Sequence, residues 1–387
     1  MSTHLPLSFR CTFALCALLS CAPAQEAPTT PAPPTPQLLF AELGALAQPQ
    51  LAVRADGALA LAFVGPKSAI HVAVRSPGAD WSAPRLLGEE PNLAAGMRRG
   101  PRIAWAGEAL VVSYIASRFD REKRKVVGTG NLYARRSTDG GASWSSPVQV
   151  NGGAGSAAEG LHAMAAHGDG VVIVWLDPRG EPQGMKLFAA RSEDGGKSFA
   201  KDVPIYTSPS KSICECCHPS IALGADGTTR VLWRNQIDGH RDMFVGTLGP
   251  KENQLVAVEP CGTKRWKLPA CPMDGGGLAL GASELPISVW RRESLIYATH
   301  GATRELLLGE GKNAAVAARG SHALVVWEND GILACASLDS PSAERSIVLR
   351  ALGAGAYASV AALPEDSFLV VAERPRERGL AAWRIKD

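Results

Sequence analysis

Residues 219–233 read PSIALGADGTTRVLW: a short apolar run, a turn around Asp226 and Gly227, and a second apolar run that ends on an aromatic. Asp-Gly between two strand-forming runs signals a hairpin. Glycine tolerates the positive φ of a tight turn, and the aspartate carboxylate accepts turn N–H groups. The unit recurs from Pro49 (PQLAVRADGALALAFV), Pro101 (PRIAWAGEALVVSYI), Ala163 (AMAAHGDGVVIVWL), Gly276 (GGLALGASELPISVW), Ala314 (AAVAARGSHALVVW) and Ala358 (ASVAALPEDSFLVVA), giving seven copies in all. Most copies continue into a third strand, such as IHVAVRS, NLYARRS or KLFAARS. Repeats of roughly 40 to 60 residues with this content are expected of propeller blades. The last copy stops at its third strand, so QLLFAEL (Gln37–Leu43) is expected to supply the fourth and close the ring, leaving no long edge open. The expectation is an all-β chain forming a single closed β-propeller of four-stranded blades, seven by repeat count and six if one hairpin is accessory.

Between the third and fourth strands, STDGGASW (Ser137–Trp144) and SEDGGKSF (Ser192–Phe199) share the pattern S-x-D-x-G-x-x-[WF], and SPGADW (Ser76–Trp81) is a shortened version. The Asp accepts backbone N–H groups, the Gly takes positive φ and the aromatic packs beneath the turn. With the blade pattern, these motifs resemble the Asp-box (bacterial neuraminidase repeat) propellers of the sialidase superfamily, over about residues 37–387. Asp-boxes are structural turns, found both in glycosidases and in propellers that only bind, so the resemblance speaks to fold before function.

The chain ends bound the compartment. Arg10, the apolar run CTFALCALLSCA and the small residues Ala22 and Ala24 read as an export signal over residues 1–24. A lipid anchor at Cys21 in LLSC is the alternative. Residues 25–36, rich in Pro, Thr and Ala, read as a disordered tether. No run reaches the roughly 20 apolar residues of a membrane-spanning helix. The 40 basic and 37 acidic residues are well mixed, giving +3 overall and no footprint for nucleic acid. The expected localisation is exported: periplasmic, cell-surface or secreted.

In a propeller the functional mouth is built by the loops leading into each innermost strand and by the second-to-third strand loops. That rule gathers CECCH (Cys214–His218), RNQIDGHRD (Arg234–Asp242), ACPMDGGG (Ala270–Gly277), NLAAGMRRGPR (Asn92–Arg102), SRFDREKRKVVGTGN (Ser117–Asn131), GSAAEGLH (Gly155–His162) and DPRGEPQG (Asp177–Gly184) onto one face. The resemblance implies a carboxylate held by arginines, a tyrosine nucleophile activated by glutamate, and an aspartate acid–base group acting on an anionic glycan. Arginine's planar fork suits a carboxylate. The mouth candidates are Arg98, Arg99, Arg102, Arg234, Arg241 and Arg291. The family's Arg-Ile-Pro signature is absent, its nearest match being PRIAW at Arg102. Tyr114, Tyr133, Tyr297 and Tyr357 fall in strand patterns as packed rings, which leaves Tyr206 as the tyrosine to test. Asp274, Glu159 and Asp177 are acid–base candidates, and Asn235, Asp242 and His218 complete the expected ligand-contacting set.

Six cysteines remain after the leader: Cys214, Cys216, Cys217, Cys261, Cys271 and Cys335. An even count in an oxidising compartment favours disulfides. The preferred reading of CECCH bonds Cys216 or Cys217 to Cys271, stapling two mouth loops, with no metal and no cofactor. The alternatives are a metal held by Cys214, Cys216, Cys217 and His218, disfavoured because consecutive residues should point apart, and a cysteine nucleophile beside His218. A glycoside hydrolase and a non-catalytic glycan- or protein-binding propeller both fit the mouth.

Overall fold

The computed structural model of the chain describes residues 33–90, 92–120, 125–281, 284–301, 305–338 and 349–386. The export signal, Cys21 and most of the tether lie outside the described residues. The strands form seven antiparallel four-stranded sheets. Blade 1 begins at Ala47–Val53, blade 2 at Arg102–Ala106, blade 3 at His162–His167 and blade 4 at Ser220–Leu223. Blades 5, 6 and 7 begin at Gly277–Leu280, Lys312–Arg319 and Ala356–Leu363. Seven blades, not six, is the observed number.

Blade 7 takes its outer strand from the other end of the chain. Strand β1 (Gln37–Leu39) pairs with Leu380–Lys386 in the register Gln37↔Ala382 and Leu39↔Leu380. It is shorter than the expected Gln37–Leu43, because Phe40 turns left-handed at φ 55 and Ala41–Leu43 winds into a 3-10 turn. Among the described residues no helix is long and apolar enough to cross a membrane.

Seven hydrophobic clusters hold the ring together, each shared by two neighbouring blades. Second strands are apolar on both faces, as in GVVIVWLD (Gly170–Asp177), because each is sandwiched between neighbours. The aromatics that end these strands, Trp175, Trp233, Trp290 and Trp327, are almost fully buried. Truncating one of them to alanine would cost about 3–5 kcal/mol.

The two eight-residue turn motifs adopt the same hydrogen-bond scheme. Ser137 Oγ donates to Asp139 Oδ1 at 2.8 Å and accepts from the Gly141 N–H at 2.8 Å, while Asp139 Oδ1 accepts from the Ser143 N–H at 2.9 Å. Ser192, Asp194, Gly196 and Ser198 repeat this at 2.7, 2.9 and 2.9 Å. These bonds hold the Asp139 carboxyl down at about 2, Ser143 contributing most. Gly196 has φ 79, and a Cβ there would meet Val111 Cγ2 at 2.6 Å, so both conformation and space call for glycine.

Candidate functional site

Inner strands converge on an axial cavity of about 250 Å³ whose walls include Leu51, Met164, Ile221, Leu278, Val316 and Val360. Arg98, Arg102 and His218 are also among its lining residues. Arg98, from the loop leading into blade 2, reaches across the ring and donates from Nη1 to the Ala358 carbonyl at 2.9 Å on blade 7 and from Nη2 to the Asn313 carbonyl at 2.5 Å on blade 6. Its guanidinium lies 6.0 Å from the Tyr357 ring centroid. Burial lowers its pKa, and Glu328, Asp274 and Glu373 oppose that shift by their negative charge.

Those carboxylates are fixed by the first residues of neighbouring blades. Gln48, Asn313 and Tyr357 have φ of 55, 54 and 49, each within a register shift at the start of an innermost strand. Their N–H groups are turned onto carboxylates. Gln48 donates to Glu373 Oε1 at 2.8 Å, Asn313 to Asp274 Oδ2 at 3.0 Å, and Tyr357 to Glu328 Oε1. Asn313 Nδ2 also donates to Glu328 Oε2 at 3.0 Å. Burial raises the Glu373 pKa, partly offset by the Gln48 N–H and amide.

Asp274 is the most exceptional group. Its residue is 1% exposed and, among the described residues, Oδ1 has no hydrogen-bond partner. Burial raises its pKa against the Asn313 N–H and the charges of Arg234, Arg291 and Arg98. Arg291 Nη1 stands 3.8 Å from Oδ2. A largely desolvated carboxyl that holds its proton above the ordinary range, with one free oxygen beside cations, can act as an acid–base group.

Other expected residues sort into three groups. Arg102, Arg234 and His218 are buried at the mouth but serve the scaffold. Arg102 donates to the carbonyls of His162, Pro101 and Arg98, and Arg234 to those of Asp274, Arg241 and Arg291. A carboxylate clamp needs free forks, which these two lack. His218 Nδ1 accepts from the Gly275 N–H at 3.2 Å. Burial, with Arg98 and Arg102 nearby, pushes its pKa well down, so the ring is neutral. A Cβ on Gly275 would meet the His218 carbonyl at 2.2 Å, which explains one glycine of CPMDGGG.

A second group stands apart from the axis. Tyr206 ends the outermost strand of blade 3, packs 4.6 Å from Trp233 and accepts from Asn235 Nδ2 at 2.7 Å. Burial raises its phenol pKa, the reverse of what a nucleophile needs. Asp242 accepts from the Trp266 N–H at 2.7 Å and Arg265 Nε at 3.1 Å, and Asp177 from the Trp175 indole at 3.0 Å and Arg179 Nη2 at 2.8 Å. Glu159 is half-exposed, and its carbonyl accepts from Arg99 Nε at 2.6 Å.

The cysteines form the third group and depart from the expected staple. All six described cysteines are free thiols, and Cys271 is exposed. The chain turns at Glu215 and Cys216, so that neighbours in sequence do not point apart. Cys214 Sγ lies 3.7 Å from Cys216 Sγ and 3.4 Å from Cys217 Sγ. Arg241 Nη1 donates to Cys214 Sγ at 3.0 Å. The thiols of Cys216 and Cys217, then Arg241, lower the Cys214 pKa, whereas burial pushes the Cys217 thiol up to about 12.

Sequence reasoning missed Tyr357, Glu328, Glu373 and Gln48 as parts of the mouth. The carboxylates carried a signal: each ends an apolar second strand (VVWE, VVAE) with a charge.

No protein-family model matches the chain, and no curated protein matches it. Among solved structures it is similar to the BP39L lectin from Burkholderia pseudomallei, with TM-score 0.59 and 15% identity over 89% of this chain and 96% of that one. A PL25 ulvan lyase, solved bound to GlcA(1-4)Rha3S, gives TM-score 0.54 and 13% identity over 91% and 96%. The virginiamycin B lyase from Staphylococcus aureus gives TM-score 0.51 and 10% identity over 91% and 99%. At these identities the likeness establishes the propeller fold.

Proposed function

We propose that this is an exported, sialidase-like propeller that cleaves an anionic glycan at its axial mouth, with Asp274 as the acid–base group. The observation that carries the reading is the Asp274 carboxyl itself, buried, with Oδ1 unpartnered and Arg291 beside it. A carboxyl whose pKa is raised by burial keeps its proton to higher pH than an ordinary aspartate and can deliver it to a leaving oxygen. Arg99, Arg241 and Arg291 keep partial exposure on the mouth face and supply positive charge for an acidic sugar. The lectin and the ulvan lyase among the fold neighbours put carbohydrate recognition among the uses of this architecture.

A second reading, a binding propeller without turnover, is favoured by the arginine forks. Arg102 and Arg234 are committed to backbone carbonyls, and neither Tyr206 nor Tyr357 has a lowered pKa. One experiment separates the two. Wild type and Asp274→Asn are assayed for binding and turnover on sialylated, uronate-containing and sulfated oligosaccharides. Asparagine keeps the acceptor for the Asn313 N–H, so the fold should persist. The expected result is turnover by wild type of at least one acidic glycan, lost by about 10²–10⁴-fold in the variant with affinity retained. Binding without turnover would replace the enzyme reading by the binding one, and neither would overturn both.

A further inference from the structure

We propose that Cys214, Cys216 and Cys217 form a three-sulfur site for a soft, thiophilic metal ion, copper(I) before zinc. Their sulfurs all lie within 4.8 Å of one another. A metal with M–S bonds of about 2.3 Å sets its sulfurs about 3.8 Å apart in a tetrahedron and about 4.0 Å apart in a plane. The observed 3.7 and 3.4 Å fall short of the tetrahedral spacing by at most about 0.4 Å and of the planar one by at most about 0.6 Å, so the sulfurs need only spread slightly by side-chain rotation to meet on one ion.

The surroundings fit the same chemistry. Three thiolates around a monovalent cation carry a net charge of minus two, and Arg241 Nη1, 3.0 Å from Cys214 Sγ, supplies a compensating charge. Arg234 also acts on Cys217 as a positive neighbour. Cys214 and Cys217 are each 1% exposed, while Cys216 is only half-buried and gives an ion its route in.

Donor count decides the metal. Zinc in a structural site takes four protein ligands. The neighbouring imidazole of His218 is turned away, its Nδ1 accepting the Gly275 N–H. Three soft sulfurs with no nitrogen or oxygen donor among them suit copper(I). The remaining buried thiols are different in kind. Cys261 and Cys335 are isolated in the interblade clusters, where burial raises Cys261 to about 12 and Cys335 to about 11.

The loop is held independently of any ion. The Ile213 N–H donates to the Met185 carbonyl at 2.9 Å and the Cys214 N–H to the Arg234 carbonyl at 3.0 Å. Donors on a backbone already fixed at both neighbouring strands lose little freedom on binding.

The test uses full-length reduced protein titrated anaerobically with copper(I) against a chromogenic copper(I) chelator, and in parallel with zinc against a zinc chelator. Bound sulfur is read by X-ray absorption. The expected result is one copper(I) per chain with sulfur-only coordination. Stoichiometric binding should be lost in both Cys214→Ser and Cys217→Ser, unchanged in Cys335→Ser, and weakened about 10-fold in Arg241→Lys. Circular dichroism and melting of each variant separate a lost ligand from a lost fold, and Cys216→Ser, at the half-buried position, serves if the buried variants unfold. The proposal is overturned if copper(I) binds no better to wild type than to Cys216→Ser. It is equally overturned if zinc is retained and copper(I) is not, or if the natively produced chain carries these thiols as a disulfide that resists mild reductant.

Discussion

At the residue scale the mouth is defined by where charge is left uncompensated. Asp274 and Arg98 come from loops on opposite sides of the ring, and each keeps one polar atom, Oδ1 and Nε, without a hydrogen-bond partner among the described residues. Unpaired buried polar atoms are costly, and sites where they persist are where a ligand can supply the missing partner. Sequence pointed to Asp274 through CPMDGGG and to Arg98 through MRRGPR. It could not show that Arg102 and Arg234 spend their forks on carbonyls, because that depends on which backbone lies opposite. The raised Asp274 pKa has a consequence for stability. The folded state holds this proton more tightly than the unfolded chain, whose aspartate titrates near 3.8. The stabilisation is therefore fully present below that value and is lost as pH rises through the raised folded pKa. Melting temperature of wild type should fall, from pH ~4 upward, more steeply than that of Asp274→Asn, which has no proton to lose there. Parallel curves measured by calorimetry would show that the carboxyl is not shifted.

At the element scale the hairpins were legible and their irregularities were not. Apolar alternation and turns built on Gly or Asp located the strands, since pattern and turn chemistry agree in every copy. Tyr357 was read as a packed strand ring. The register shift between Ala356 and Ser359 places it at φ 49, and its N–H goes to Glu328. A one-residue bulge turns a side chain to the other face without changing the alternation that follows it, so composition alone does not reveal it. The CECCH loop failed for a related reason: a tight turn at Glu215 and Cys216 gathers side chains that an extended chain would scatter. The eight-residue Ser–Asp turns give a direct energetic test. Ser192 is buried, and its hydroxyl both accepts from the Gly196 N–H and donates to Asp194. Ser192→Ala strands a buried N–H and should cost about 1–3 kcal/mol in chemical denaturation. A change below a few tenths of a kcal/mol would show that water replaces the hydroxyl.

At the scale of the whole molecule, closure and centre belong together. β1 completes blade 7, and each pair of adjacent blades shares one apolar cluster, so the ring is closed and its inner strands are held at a fixed radius. That radius sets the axial cavity and lets Arg98 span from blade 2 to blades 6 and 7. Repeat count and the truncated last copy were enough to read this architecture from sequence. The substrate was not, because the mouth is assembled from single residues of six or more loops and no one loop carries a motif. The most direct test of the account is a crystal structure of Asp274→Asn with the tightest-binding acidic oligosaccharide from the panel described above. The expected result is an acidic sugar at the axial mouth, with a ring or glycosidic oxygen within hydrogen-bonding distance of residue 274 and its anionic group facing Arg291. A sugar seated between blades or on the outer strands, with the axial mouth unengaged, would contradict it.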